Sequence, residues 1–409
     1  MSARRVDEEE ATDEEVRQTL TKTSPRWREQ GAMLMKIALV SPYDITYPGG
    51  VVSHISNLGR ELEERGHSVK VLAPVANAKS LGIDNLIAVG RPVPVPSNGS
   101  IARISLSLWR ERTVKSVLRE EAFDIVHLHE PLAPVLPLTV LHHSEAPNIG
   151  TFHSFSEHPY KYTLSHRFLH GLDDKLDSRI AVSTPAMRYV SRFFPGDYKI
   201  IPNGLDVDFY SQDVPPFDAF CDGKLNILFV GRLEKRKGLR YLLEAFSRLK
   251  WDYPFLRLIV VGRGNPGKEC YQIMAERNLQ DVVFVGGVSE EHKRRYFRTA
   301  HIFCAPSLGK ESFGIVLGEA MASGKPIVAS DIEGYASVMT SGREGFLVPP
   351  KDEKALAEAL ERLILDPGLR AEMGESGRIT VQRYRWDKVA ALVEAVYREA
   401  AVGETVSVP

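Results

Sequence analysis

Glu311-Ser312-Phe313-Gly314-Ile315-Val316-Leu317-Gly318-Glu319, continued by the run to Ser330, is the stretch from which the fold can be read. The apolar run Ile302 to Ala305 ahead of it has the length of a covered strand, and Ser307 and Gly309 suit a loop. Ser312 is expected to cap a helix whose apolar face carries Ile315, Val316, Ala320 and Met321 and which Gly324 ends. Glu311 and Glu319 are eight residues apart, so about two turns would separate them along one helix edge. Amide groups at a helix start favour an anion, which makes this a phosphate site flanked by two acceptors for hydroxyls. Taken alone, such an acid pair belongs more often to a solvated helix face.

Its neighbours change that reading. Gly231-Arg232-Leu233-Glu234-Lys235-Arg236-Lys237-Gly238 follows the apolar strand Ile227 to Val230 and places cations at a strand's carboxyl end, where open α/β sheets bind ligands. Cations for a diphosphate, amides at a helix start and carboxylates for sugar hydroxyls together describe a nucleotide-sugar site. These two motifs at this separation resemble the retaining nucleotide-sugar glycosyltransferases of family 4, which have the GT-B architecture. The likeness runs from about Met35 to the final helix near Ala400.

The length of 409 residues predicts two domains. With 43% apolar and 26% charged residues and a formal net charge of -1, the chain has no overall basic excess that would point to nucleic acid. Cys221, Cys270 and Cys304 lack metal or redox spacing and fit a reducing compartment. Without an apolar run long enough to span a bilayer, or a secretory signal, membrane contact is expected to be peripheral.

Residues 1–32 are polar and acidic without a core-forming period and read as a mobile tail. Strands and helices then alternate: Lys36 to Val40, Ser68 to Ala73, Asp124 to His129, Ile149 to Phe152, Ile180 to Val182 and Lys199 to Ile201. Such alternation predicts a doubly wound parallel sheet. A second round of strands covers Ile227 to Val230, Leu256 to Val261, Val282 to Val285, Ile302 to Ala305 and Ile327 to Ala329. The predicted architecture is therefore α/β, two Rossmann-like halves facing a cleft: residues 33–210 for the acceptor, a linker at 211–223, and residues 224–385 for the nucleotide-sugar. Residues 386–409 form an end helix and tail, with Val389, Leu392, Val393 and Val396 as its apolar positions. The resemblance implies that this helix packs back on the N-terminal domain.

The resemblance also implies roles. Arg232 and Lys237 would hold the diphosphate, with Arg236 beside them. Glu319 would accept from ribose hydroxyls and Glu311 from a sugar hydroxyl, while Ser312, Phe313, Gly314 and Ile315 line the helix start. Val288, Ser289 and Glu290 stand where the fold holds the base, with Lys293 within reach, although the same residues also read as a capped helix start. Gly50, after Gly49, would bring bare backbone to the donor. His153 would meet the sugar or acceptor. His127 and His129 share one strand face but have no third ligand nearby in sequence, so they read as packing rather than metal. No cofactor is required by the sequence; Mg2+ can accompany the donor, and no Asp-X-Asp motif stands at a plausible site.

For the acceptor, the run Val95 to Arg103, with Pro42-Tyr43, Gly49-Gly50-Val51 and His129-Glu130-Pro131, resembles the bacterial phosphatidylinositol mannosyltransferases. That likeness implies an inositol phosphate headgroup among Tyr43, Ser97, Asn98 and Arg103. It also implies GDP-mannose as donor, with a UDP-sugar and another acceptor, or a non-catalytic sugar-nucleotide binder, as the remaining readings. From Arg91 to Arg119 the chain has six cations against one acid, Glu111. Arg110, Arg112, Lys115 and Arg119 would face an anionic membrane, while Val114, Val117 and Leu118 suit either the bilayer or the core. The expected location is the cytoplasm, peripheral on the inner face of the plasma membrane.

Overall fold

The computed structural model describes residues 34–47, 49–76, 85–97, 100–105, 111–153 and 171–402. Apolar runs of three to six residues make the strands, and each half stacks them into a parallel sheet. In the N-terminal half the order along the chain is β1 (Lys36–Val40), α1 (Gly50–Glu64), β2 (Ser68–Ala73), β3 (Leu86–Ala88), β4 (Pro92–Ser97), β5 (Ser100–Ser105), α2 (Glu111–Glu121) and β6 (Ile125–His129). It continues with α3 (Leu136–His143), β7 (Asn148–Phe152), β8 (Ser178–Ala181), α4 (Thr184–Val190) and β9 (Tyr198–Ile200); α5 (Val207–Ser211) follows but packs on the C-terminal core, so the chain crosses near Leu205, ahead of the 211–223 linker read from sequence.

The C-terminal half runs β10 (Leu225–Val230), α6 (Leu239–Asp252), β11 (Leu256–Val261), α7 (Lys268–Glu276), β12 (Val282–Gly286), α8 (Glu290–Thr299) and β13 (Ile302–Ala305). It ends with α9 (Ile315–Ala322), β14 (Ile327–Ser330), α10 (Glu333–Ala336), β15 (Gly345–Val348), α11 (Glu353–Leu365), α12 (Pro367–Val381) and α13 (Trp386–Val402).

The strand orders are β3-β2-β1-β6-β7-β8-β9 and β12-β11-β10-β13-β14-β15, while β4 and β5 form a separate antiparallel hairpin. Sequence reading missed β3 and β15, each only three or four residues long. In both sheets the winding direction reverses beside the first strand, between β1 and β6 and between β10 and β13. These reversals are where the loops at the strands' carboxyl ends diverge and open a crevice.

Apolar clusters cover both faces of both sheets. One of them joins the two ends of the chain: Trp386, Val389, Val393, Val396 and Tyr397 of α13 pack with Met35, Ile37 and Ile55. Leu392, read from sequence as part of this stripe, is instead 44% exposed, because it falls on the outer side of the helix.

The two passages between halves lie side by side. Leu205 forms a bridge with Arg385, and its amide donates to the Tyr384 carbonyl at 2.7 Å. The Arg385 guanidinium grips both carboxylate oxygens of Asp208. Gly204 lies under the indole of Trp386 so closely that a Cβ there would stand 2.3 Å from ring carbons. Gly204→Ala is therefore expected to cost about 1–3 kcal/mol, the usual range for overpacking, read as a lower midpoint in chemical denaturation.

Candidate active site

A cavity of about 700 Å³ lies between the halves and is lined from both. Gly49 and Gly50 at the start of α1 come from one side, and Gly231, Arg232, Arg236 and Lys237 after β10 from the other. Glu311 to Val316, Glu319, Glu290 and Lys293 complete the C-terminal wall. A Cβ on Gly50 would lie 3.8 Å from Ile315 Cδ1, so the two helix starts nearly touch across the cleft.

The acid pair is built differently from the sequence expectation. Gly314, not Ser312, is the residue before the helix; it has φ +88, and the helix begins at Ile315. That left-handed conformation favours glycine, and an added Cβ would also meet the Tyr335 ring at 2.7 Å. Glu311 stands in the loop, where the sequence also puts it, and Glu319 is on the helix; the two carboxylates do not share a helix edge, yet both line the one cavity. The start of α9 has no side-chain cap, leaving its first amides available to an anion in the cavity.

Glu311 Oε1 accepts from Lys237 Nζ at 2.6 Å and from the Arg236 guanidinium. Arg236 also donates to Glu234, which pairs with Arg232 at 2.9 Å. Three cations and two carboxylates therefore form one ion-pair chain along the loop after β10. Arg236 is enclosed in this chain, whereas Lys235 is exposed.

Glu319 is buried and accepts from Lys293 Nζ at 2.9 Å, and Lys293 also meets Glu290 at 2.8 Å. The Tyr210 hydroxyl donates to Glu290 at 2.7 Å. Burial raises the Glu319 carboxyl above the ordinary range, opposed by the nearby ammonium. Lys293 is raised in turn, because the two carboxylates outweigh the burial that lowers it. Sequence reading placed Lys293 toward a base; its ammonium instead holds Glu319. Val288 and Ser289 are not among the cavity-lining residues: Val288 packs against the core and Ser289 Oγ accepts from the His292 amide, the capped helix start.

On the N-terminal side the cavity wall is His54, one helical turn after Gly50, with Ser53, Asn57, Asn203 and Trp386. His153 is not among the cavity-lining residues: it lies behind His54, 8% exposed, with its ring 4.8 Å from that of His54. Its Nε2 is 3.0 Å from His129 Nδ1, and its amide donates to Glu130. His127 is bonded at both nitrogens, to the Tyr397 hydroxyl and Thr151 Oγ1, as expected of a packed histidine. Burial keeps all four rings neutral, with His54 held down at about 4 despite an opposing hydrogen bond from Asn203. His54 could have been found from its i+4 spacing to Gly50; no local signal marks Asn203 or Trp386.

Tyr43 and Arg103 stand outside the cavity. Tyr43 bridges to Ile104, the Asp44 amide donates to the Arg103 carbonyl, and the Arg103 guanidinium lies 4.4 Å over the Tyr47 ring. Burial, then Glu130, raises the Tyr43 hydroxyl. Asn98, Arg110, the side chain of Ser97 and residues 1–32 lie outside the described residues.

Residues 216–380 match the family described as Glycosyl transferases group 1, and residues 48–209 match Glycosyltransferase Family 4. The chain is 37% identical over 368 residues to a phosphatidyl-myo-inositol mannosyltransferase of Mycobacterium leprae, covering 90% of this chain and 97% of that protein. The chain belongs to family 4 of the glycosyltransferases. A second relative of this glycosyltransferase, the phosphatidyl-myo-inositol mannosyltransferase of Mycolicibacterium smegmatis, is 38% identical over 364 residues, with 89% and 93% covered. Among solved structures, sucrose-phosphate synthase from Thermosynechococcus elongatus shares the fold with a TM-score of 0.72 at 24% identity, over 90% of this chain and all of that one. A Rickettsia africae glycosyltransferase does so with a TM-score of 0.75 at 19% identity, over 91% and 100%. The fold of this glycosyltransferase is thus the two-sheet GT-B arrangement.

Removing one member of the buried pair leaves the other charge exposed to a poorly hydrated interior. Glu319→Ala is expected to cost about 2–3 kcal/mol, below the 3–5 typical of a broken buried pair because Glu290 remains. Adding Lys293→Met should recover part of that loss, as read from a double-mutant cycle of unfolding free energies.

Proposed function

We propose that this glycosyltransferase moves mannose, with retained configuration, from GDP-mannose to phosphatidylinositol at the cytoplasmic face of a membrane. The observation that carries the reading is the convergence of Arg232, Arg236, Lys237, the uncapped start of α9 and Glu319 on one cavity. Near-full-length similarity to proteins named phosphatidyl-myo-inositol mannosyltransferase supports the choice of sugar and acceptor.

In this reading the diphosphate lies against the amides of α9 and exchanges carboxylates for phosphate oxygens at Arg232 and Lys237. Glu319 accepts from ribose hydroxyls, and Glu311 from a sugar hydroxyl. In this reading neither acid is a nucleophile, each serving as an acceptor for a hydroxyl. The bond from the anomeric carbon to the β-phosphate oxygen breaks, and an acceptor hydroxyl bonds on the same face. Its proton passes to the departing phosphate oxygen, whose charge the cations and helix start stabilise. His153, behind His54, orients the sugar.

No resident divalent ion enters this scheme. Asp206-Val207-Asp208 has the Asp-X-Asp spacing that sequence reading did not place at the site, and Asp206 lines the cavity. Both carboxylates are nevertheless engaged, Asp206 with the Phe209 amide and Asp208 with Arg385, so any Mg2+ would arrive with the donor.

The acceptor headgroup approaches along the loop that leads from Tyr43 to Gly50, with Arg103 toward its phosphate. The membrane contact is electrostatic. Arg112, Lys115 and Arg119 are exposed on α2, whereas Val114 is buried and Val117 and Leu118 pack against the core. Glu111 pairs with Lys115 and reduces the net charge. Among the described residues no helix is long and apolar enough to cross a membrane.

Arg232→Ala and Lys237→Ala should each lower kcat by roughly 100-fold or more, the scale of losing one stabilising group at a developing anion, in a phosphatidylinositol mannosylation assay. Stabilisation by UDP but not GDP in a thermal-shift titration would reject the donor. Reversing Arg112, Lys115 and Arg119 should weaken binding to vesicles of anionic phospholipid at least tenfold, given about 1 kcal/mol for each surface cation, with the difference vanishing at high salt.

A further inference from the structure

We propose that His54, His129 and His153 form a site for a first-row transition-metal divalent cation such as Zn2+ at the floor of the cleft, and that its occupation opposes transfer. The second part rests on the reading of His153 as a sugar-orienting residue; the first does not.

The three rings come from separate elements, α1 and the ends of β6 and β7, and one nitrogen of each lies within 4.8 Å of one nitrogen of the others. Sequence reading set aside a metal because His127 and His129 had no third partner nearby; folding brings His54 and His153 to His129 and leaves His127 out. His129 Nδ1 and His153 Nε2 are already 3.0 Å apart. Two nitrogens on one tetrahedral Zn2+ are about 3.3 Å apart, from Zn–N bonds of about 2.0–2.1 Å. The spacing of that pair is within about 0.3 Å of what the ion requires, and all three rings must turn for their lone pairs to converge on it, the His129–His153 hydrogen bond being exchanged for the metal.

Hydrogen-bond accounting points the same way. His54 Nδ1 and His129 Nε2 are buried with no partner among the described residues, whereas both nitrogens of His127 are satisfied. A buried ring nitrogen without a partner costs about 1–3 kcal/mol, which favours a ligand at His54 Nδ1; the open His129 nitrogen is the one opposite the Nδ1 that faces His153. Imidazoles select Zn2+, Co2+ or Ni2+ over Mg2+, which separates this site from any ion carried by the diphosphate. The buried Glu130 carboxylate, already bonded to the His153 amide, lowers the cost of placing positive charge in this interior. His54 lines the cavity, so an ion at the three rings has an entry path and an open fourth position. His153 bound to the ion cannot also hydrogen-bond a sugar through the same nitrogen.

The test titrates Co2+ into the full-length protein, follows the visible absorption of tetrahedral Co2+, and measures transfer with and without Zn2+. Expected are an intense tetrahedral band, its loss on adding Zn2+, and a Zn2+-inhibited rate that EDTA restores. Inhibition is expressed relative to each variant's own metal-free rate. His54→Gln and His129→Gln should each weaken Co2+ binding at least tenfold, with His54→Gln deciding if His129→Gln fails to fold. His143→Gln, which alters the surface group of His142, His143 and Glu111, should leave binding unchanged. No tetrahedral band, binding that survives His54→Gln, or binding lost in His143→Gln overturns the site. Binding without inhibition overturns the claim that the ion competes for His153, and leaves the donor reading to be judged by the Arg232 and Lys237 variants.

Discussion

Strands buried on both faces leave polar chemistry only at their ends, and this constraint decides where the protein can act. Every described pairing within the two large sheets is parallel, and apolar clusters cover each face. Carboxyl ends of strands on the two sides of each reversal diverge, so their loops need not pack against one another. His129, His153 and Asn203 gather at that edge of one sheet, and Arg232, Lys237 and Glu311 at that edge of the other. Facing the two edges toward each other produces a polar cleft without interrupting either core.

Charges in such a cleft must be paired before a ligand arrives. Glu311 holds Arg236 and Lys237, Glu234 holds Arg232, and Lys293 holds Glu319. A buried ion pair contributes little net stability, because desolvation consumes most of the Coulomb gain. In the proposed reading its value is positional: the cations stand ready for a diphosphate, and exchanging a carboxylate for a phosphate oxygen changes partners without creating a bare charge. The uncapped start of α9 adds a donor set that no side chain occupies.

Much of this was legible because strong apolar runs ending in polar loops have few alternative readings. The strand before Arg232 and the one before Glu311 announce themselves, and so do the cations and acids that follow. The start of α9 was not legible, since Ser312 offers a better cap by residue type than Gly314. A left-handed Gly314 packed against Tyr335 is a tertiary demand with no trace in local propensity. Ser289 shows the reverse case, where the plain reading as a cap describes its hydrogen bond. The histidine floor was invisible for another reason. His54, His129 and His153 are joined only by the winding of the sheet, and no spacing along the chain carries that information.

The two crossings between halves touch the same ring that borders this floor. Trp386 lies on Gly204 at one crossing, begins α13 at the other, and has its indole centroid 5.1 Å from the His54 ring. Leu205, beside Gly204, is bridged to Arg385, so neither passage can shift without dragging its partner. Among the described residues, these paired segments carry the chain between the C-terminal sheet and the N-terminal core. Trp386 packs on His54, and His54 packs on His153, so one aromatic side chain joins the crossing between the halves to the histidines at the cleft, while the covered faces of the sheets are close-packed.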